Sequence, residues 1–270
     1  MSSEIDPKRS AQEFYATALA RERTRAGLTQ AQLGAKPGVI VSSQQVGHIE
    51  NCRRPPTLRF SKALDQSLGL VEYFEGLYEA YVRESGMPQA FWEYSEQEGF
   101  ASTIKTYGNF AISGLLQSVE YAREIMRLKQ GPEELEKAVA TRMSRQDVLR
   151  GADPPWFFAI LDEFAIRRIV GNKGVTRRQL EQVLAAMEEP CISVVVLPNG
   201  ALVYPASGFT VLRFPNQDDL AYVEAANGHG KIIEQGLPTS ELTVLFDRLS
   251  AAALSPHDSA KLIRTVMEDL

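Results

Sequence analysis

Ser43, Gln44 and His48 fall within one short segment, Ser43-Gln44-Gln45-Val46-Gly47-His48-Ile49-Glu50, and their side chains suit contact with base edges. A glutamine amide can bond adenine N6 and N7 together, while serine and histidine make less demanding contacts. Gln44 is therefore the first candidate for reading a base, with Ser43 and His48 beside it. Phosphate oxygens ask instead for cations, amides and free backbone N–H groups. Arg53, Arg54 and Arg59 follow the segment. Gln30 and Gln45 stand near the starts of two short predicted helices, where orphan N–H groups favour an anion. These five residues are the candidate phosphate contacts.

Two elements must hold those side chains. Thr29-Gln30-Ala31-Gln32-Leu33 opens one helix and Ser42 precedes the other. Thr29/Gln32 and Ser42/Gln45 repeat a hydroxyl with glutamine three places on, a pattern that caps N–H groups at a helix start. Pro37 and Gly38 turn the chain between them. Val46 and Ile49 share the face spaced to bury, which leaves Ser43, Gln44 and His48 on the wet side. Leu19, Leu28, Leu33, Leu64 and Leu68 recur at helical spacings and predict a bundle of four or five helices over 10–70. Two short helices joined by a turn, the second with a polar face, form the helix-turn-helix arrangement for reading a major groove.

The segment resembles the Cro/phage-repressor-like (XRE) helix-turn-helix family, in which Gln30, Ile49-Glu50-Asn51 and the following basic residues occupy matching places. The resemblance implies double-stranded DNA as partner. Helix-turn-helix proteins usually read two half-sites about one DNA turn apart, so a homodimer is expected. Three features depart from the family. Cys52 stands where glycine commonly ends the reading helix, the turn over 37–41 is longer, and Gly34 and Gly47 lie inside short helices, where glycine costs about 1 kcal/mol against alanine.

Charge divides along the chain. The 270 residues carry a net −5, but residues 1–70 hold 10 Lys and Arg against 6 Asp and Glu, a net +4, leaving −9 for 71–270. Positive charge thus sits with the segment that would release counterions from phosphates, and the acidic remainder would be repelled by a duplex. Cys52 and Cys191 lack metal-ligand spacing and read as free thiols of a reducing cytoplasm. No basic start followed by an apolar run marks a secretory leader, and the strongest apolar run, 192–197, is far shorter than the roughly 20 residues that span a bilayer. A cytoplasmic protein is expected.

Residues 71–98 read as a helical linker, with Tyr73, Phe74, Leu77, Tyr78 and Tyr81 on one face and a joint at Gly86-Met87-Pro88. The aromatic residues at 91–110 read as packing. Beyond them, 133–150 predicts a long helix ended by Asp153-Pro154-Pro155, and the apolar runs 156–161 and 191–197 predict buried strands. Phe164 to Gly171 resumes helical spacing, and Thr176 with Gln179 caps another helix. Shorter strands follow at 209–214 and 220–224, then two helices, the last capped by Ser255-Pro256. The expected architecture is an all-α N-terminal helix-turn-helix bundle followed, over 99–270, by an α+β domain, a mixed sheet with packed helices.

This second region resembles the C-terminal domain of unknown function in WhiJ-like actinobacterial regulators. The matching elements run from Ser113-Gly114-Leu115-Leu116-Gln117-Ser118 through Arg142, Arg145-Gln146, Leu161-Asp162-Glu163 and Arg167-Arg168 to Gly208-Phe209 and Tyr222-Val223-Glu224. The resemblance implies a transcriptional regulator, in some relatives acting as an antitoxin toward a small protein encoded beside it.

Catalysis finds no positive support. No phosphate-binding glycine loop, nucleophile elbow or metal spacing is present, so neither a cofactor nor a metal is expected. His229 reads as a solvent-facing residue of the Gly228-His229-Gly230 turn, and His257 stands on a separate segment. Asp162 and Glu163 read as a strand-end pair bonding backbone or Arg167 and Arg168, with Arg142, Arg145 and Gln146 placed to join them in a buried network. An enzyme binding a small molecule among the aromatic residues of 91–121 has only composition behind it. The leading expectation is a sequence-specific DNA-binding transcriptional regulator whose second domain senses a protein partner or small ligand. The alternative is an antitoxin-like interaction module with weak or no DNA binding.

Overall fold

Hydroxyl side chains start the first four helices of the N-terminal unit. Ser10 accepts from the Glu13 N–H ahead of α1 (Ala11–Arg25), and Thr57 from that of Phe60 ahead of α4 (Leu58–Leu68). Thr29 and Ser42 do the same for α2 (Gln30–Gly34) and α3 (Ser43–Glu50), and there the reciprocal glutamine bonds also form. The computed structural model describes residues 5–52, 55–85, 89–127, 131–151, 154–225, 230–234 and 236–270. Arg53, Arg54, the joint at 86–88, Asp153 and the turn carrying His229 lie outside the described residues. The chain divides into two compact units, Met1–Gly86 and Met87–Leu270.

The core of the first unit contains Leu19, Leu33, Val46, Ile49 and Leu64, all buried, together with Tyr15 and Phe60. Leu28 and Leu68 are only half-buried. A further helix, α5 (Tyr73–Ser85), closes this core. Asp65 holds its start, accepting from the N–H groups of Phe74 and Glu75 at 2.9 and 3.1 Å. Phe74 is fully buried with its ring 5.3 Å from that of Tyr15. The buried positions of α5 are Phe74, Tyr78 and Val82, one per turn, with Tyr73, Leu77 and Tyr81 beside them half-buried. Segment 71–98 thus supplies α5 to the first unit and α6 (Gln89–Gln97) to the second.

Gly34 explains itself by contact. A Cβ there would overlap the carbonyl oxygen of Val41, whose N–H donates back to Gly34 O at 3.0 Å. Alanine gains up to about 1 kcal/mol in helix propensity. The obstacle is backbone and cannot rotate away, so overpacking of about 1–3 kcal/mol outweighs that gain. Gly34→Ala is expected to be destabilising by urea unfolding, and a more stable variant would contradict this close approach.

The second unit is built on a six-stranded mixed sheet of order β3-β2-β1-β4-β5-β6, formed by β1 (Thr103–Gly108), β2 (Trp156–Asp162), β3 (Ile192–Leu197), β4 (Phe209–Arg213), β5 (Leu220–Val223) and β6 (Lys231–Glu234). β1, β2 and β3 run parallel, and β4 to β6 continue antiparallel from the other edge of β1. Parallel neighbours need crossover connections. α7 (Val119–Met126) and α8 (Pro132–Arg145) lie between β1 and β2, and α9 (Glu163–Arg167) and α10 (Lys173–Ala186) between β2 and β3. On one sheet face Phe157, Ala159 and Leu161 pack with Tyr121, Leu180, Val183 and, from α12 (Pro256–Asp269), Ile263 and Val266. On the other, Ile160, Phe209 and Val211 meet Phe246 and Leu249 of α11 (Leu237–Ala252).

Several local expectations are corrected. The helix expected to start at Thr176 begins at Lys173, because the Asn172 side chain accepts from Val175 N–H and supplies the cap. Thr176 is buried inside α10, its hydroxyl on the backbone of Val170, and Gln179 instead reaches Ser118 N–H and Leu116 O at 2.7 and 2.8 Å. The helix over 133–150 ends at Arg145 and tightens into a 3-10 turn, Gln146–Arg150. Helical geometry after Phe164 stops at Arg167. Strands β1 and β6 were not expected. β1 hides in polar alternation: Thr106 lies opposite Thr210, and their buried hydroxyls bond at 2.9 Å. No helix among the described residues is long and apolar enough to cross a membrane.

Candidate nucleic-acid interface

The exposed edge of α3 is set by what its other side must bury. Val46 is fully buried and Ile49 is 6% exposed. Ser43 and Gln44 consequently face outward, and His48, one turn beyond Gln44, is half-exposed on the same side. None of the three side chains makes a hydrogen bond within the described residues. The edge thus offers a hydroxyl, an amide and an imidazole.

Glu50 fixes this helix from behind. Its carboxylate accepts from Arg23 Nε and Nη2 at 2.6 and 3.1 Å, and from Gln30 Nε2 at 2.7 Å. One acid at the end of α3 thereby ties it to both α1 and α2. Arg23 is completed by Nη1, which donates to Leu28 O at 2.8 Å. Gln30 lies against α3 so closely that a Cβ on Gly47 would stand 3.1 Å from its Oε1. Gly47 is therefore where two short helices touch. A buried carboxylate meeting a two-point guanidinium is a strong, orienting contact.

The chain leaves α3 through two backbone devices. Asn51 closes the helix end on one carbonyl, its Nδ2 and its backbone N–H both donating to Gly47 O, at 2.6 and 3.1 Å. Cys52 then adopts φ +54°, the left-handed conformation that favours glycine. Gln12 steadies that residue, donating from Nε2 to Cys52 O at 3.2 Å while the thiol donates to Gln12 O at 3.8 Å. Burial, reinforced by Glu13, raises the Cys52 thiol above its ordinary range.

Of the phosphate candidates, the structure describes Gln30, Gln45 and Arg59. Gln45 uses Oε1 in the cap, accepting from Ser42 N–H at 3.1 Å, which leaves its amide hydrogens available. Arg59 is exposed at the second position of α4 and makes no ion pair among the described residues. Gln30 is half-buried with its amide nitrogen already engaged by Glu50. The sequence reading missed the Arg23–Glu50–Gln30 cluster. Its one visible trace is an acid directly beside the apolar Ile49, where the end of a helix would favour a cation.

In the second unit the expected polar network forms with other partners. Arg145 meets Glu98, not Asp162 or Glu163, with Nε and Nη2 donating at 3.0 and 2.7 Å. Gln146 Nε2 donates to Gly114 O and Gln117 O at 3.0 and 2.7 Å. Asp162 instead caps α9 and accepts from Tyr107 OH at 2.9 Å. Burial, with Asp162, raises that phenol far above its ordinary range. Glu163 accepts from Arg167 Nε at 2.7 Å and from Asn199 N–H at 2.9 Å. The guanidinium of Arg168 stacks on Phe110 and Phe164.

Comparison with known proteins gives one family. A family described as a domain of unknown function (DUF5753) matches residues 91–265. No curated protein and no solved structure matches the chain.

Proposed function

The chain belongs to the DUF5753 family, and from the geometry of its N-terminal unit we propose that it is a sequence-specific DNA-binding transcriptional regulator, its second unit sensing a protein partner or small ligand. The observation that carries this reading is the combination on α3 of an unpaired Ser43, Gln44 and His48 edge with a doubly capped, acid-anchored back. A rigid helix with free donors and acceptors on one edge is what base readout in a major groove needs. In this reading α2 and α3 form a helix-turn-helix within a 10–70 bundle of the XRE type, and 99–270 is the effector domain. Gln44 reads a base, with Ser43 and His48 at its sides. Gln45 and Arg59 hold phosphates, joined by Arg53 and Arg54 of the following segment. Gln30 offers a phosphate its second amide hydrogen while its first holds Glu50.

The net +4 of residues 1–70 supports the assignment, since the charge elsewhere is acidic. Two copies would place two α3 edges about one helical turn of DNA apart. Selection from a randomised duplex pool tests the reading. A recovered motif with two half-sites, centres about 34 Å apart, is the expected result. A pool with no enrichment would exclude it.

Arg59 separates positioning from reading. Arg59→Ala is expected to weaken binding to all duplexes alike and to reduce the salt slope by about 1. Fluorescence anisotropy across a range of salt checks this, and an unchanged slope would remove Arg59 from the phosphate contacts.

A further inference from the structure

Two guanidinium groups of α8 lie over one ring: Arg142 and Arg145 stand 5.7 and 4.6 Å from the centroid of Phe91. Arg145 has its counter-ion, since its Nε and Nη2 clasp both oxygens of Glu98, and Tyr94 OH donates to the same carboxylate at 2.7 Å. Arg142 does not. Its Nη1 donates to Gln117 Oε1 at 3.0 Å, but its Nε is shielded from solvent without an acceptor. Among the described residues no carboxylate forms an ion pair with Arg142. Burial, together with the neighbouring Arg145, pushes the guanidinium down to about 10, so it still carries its charge at neutral pH. Removing a guanidinium N–H from water is offset only by a hydrogen-bonded partner, so an Nε left without one among the described residues is a costly arrangement for this half-buried side chain.

Its place in the fold is informative. Gly114 and Gln117 belong to the chain leaving the carboxyl end of β1, and a Cβ on Gly114 would come 3.0 Å from Arg142 Nη1. In the sheet order β3-β2-β1-β4-β5-β6 the strand order reverses at β1, beside this end. Carboxyl ends of parallel strands at such a switch are where ligands of open α/β sheets are held. Glu224, exposed just after β5, donates its N–H to Gly208 O at 2.9 Å. Its carboxylate lies over Gly208, where a Cβ would come 2.5 Å from Oε2. Burial raises the Glu224 carboxyl above its ordinary range and Arg142 draws it only partly back, and the two form no ion pair.

We propose that the Nε/Nη2 edge of Arg142 is a binding site for a small oxyanion, the carboxylate or phosphate of an effector, with Glu224 as a rim charge that opposes it. The same edge on Arg145 already takes a carboxylate in two-point geometry, which is the arrangement an oxyanion would copy on Arg142. The proposal deepens the effector half of the functional reading, and its readout below does not involve DNA. Failure here therefore leaves duplex binding untouched, and failure to bind a duplex leaves this site untouched.

The test is the unfolding midpoint of the full chain in sodium phosphate, sodium acetate and sodium chloride at equal ionic strength. At roughly tenfold saturation the bound oxyanion raises the midpoint by roughly 3 °C over chloride. A rise in phosphate alone identifies a phosphate ligand, and a rise in acetate alone a carboxylate. Arg142→Gln is expected to abolish the rise. Where that variant fails to fold, Glu224→Gln decides: removing the opposing charge lowers the dissociation constant several-fold and so enlarges the rise. Equal midpoints in the three salts, a rise that survives Arg142→Gln, or a rise unchanged or reduced in Glu224→Gln would overturn the site. The last result would make Glu224 the counter-ion of Arg142.

Discussion

Gln44→Ala is expected to erase preference at one or two base pairs of each half-site while leaving affinity for unrelated duplexes unchanged. The side chain is exposed, uses none of its hydrogen-bonding groups within the described residues, and follows the cap without belonging to it. Its removal therefore costs the fold little, since surface substitutions of this kind usually stay within about 0.5 kcal/mol. A bidentate amide on adenine is worth about 1–3 kcal/mol of discrimination, or roughly five- to 150-fold between the right and wrong base pair. Competition binding with single-substituted duplexes measures it. Unchanged discrimination at every position would take Gln44 out of the reading role. A uniform loss over all sequences would make it a phosphate contact instead.

Glu50→Ala is expected to cost the N-terminal unit about 3 kcal/mol, at the lower end for breaking a buried ion pair from one side. The side chain of Glu50 is 7% exposed and that of Arg23 is 18% exposed. Without Glu50, Arg23 keeps only its bond to Leu28 O, and Gln30 loses its acceptor. Partial exposure of Arg23 allows water to repair some of the damage, which sets the estimate low in the range. A domain typically has only about 5–15 kcal/mol in total, so a sizeable part of its stability goes, and duplex binding falls with it. Replacing both charges, Arg23→Met with Glu50→Leu, should recover most of the loss because no unpaired charge then remains. Urea unfolding of the single and double variants checks this. A single-variant cost below about 1 kcal/mol, or a double variant worse than the single one, would show that the pair does not anchor α3.

Much of the N-terminal unit could be read from residues because its signals are local. A capping box needs only a hydroxyl and a glutamine three apart, and both expected boxes are formed. The burial of Val46 and Ile49 followed from spacing on one helix face. What escaped depends on contacts far apart in sequence. Glu50 and Arg23 are separated by 27 positions, and nothing near either marks the other as its partner. Gly34 looked like a defect in a helix, but it is where the Val41 carbonyl approaches.

The second unit shows the same division. Continuous apolar runs announced β2 and β3, which lie in the parallel half of the sheet. β1 sits at the centre of that sheet but carries Thr103, Lys105 and Thr106, and its Thr106–Thr210 bond exists only once β4 has paired. Asn172 displaced Thr176 as a cap because both residue types cap well, and only the position of Val170 settles which one turns inward. Arg145 found Glu98, 47 positions away, where sequence spacing had suggested Asp162 and Glu163.

Replacing single adenines of the selected duplex by 7-deazaadenine, with the wild-type chain and with Gln44→Ala, addresses the α3 edge most directly. The analogue removes the N7 acceptor from the major groove and leaves the Watson–Crick edge and the minor groove unchanged. Weaker binding by the wild type at one or two adenines of each half-site is predicted, with those losses absent in the variant. No loss at any adenine, or the same losses for both proteins, would contradict a major-groove role for the edge formed by Ser43, Gln44 and His48.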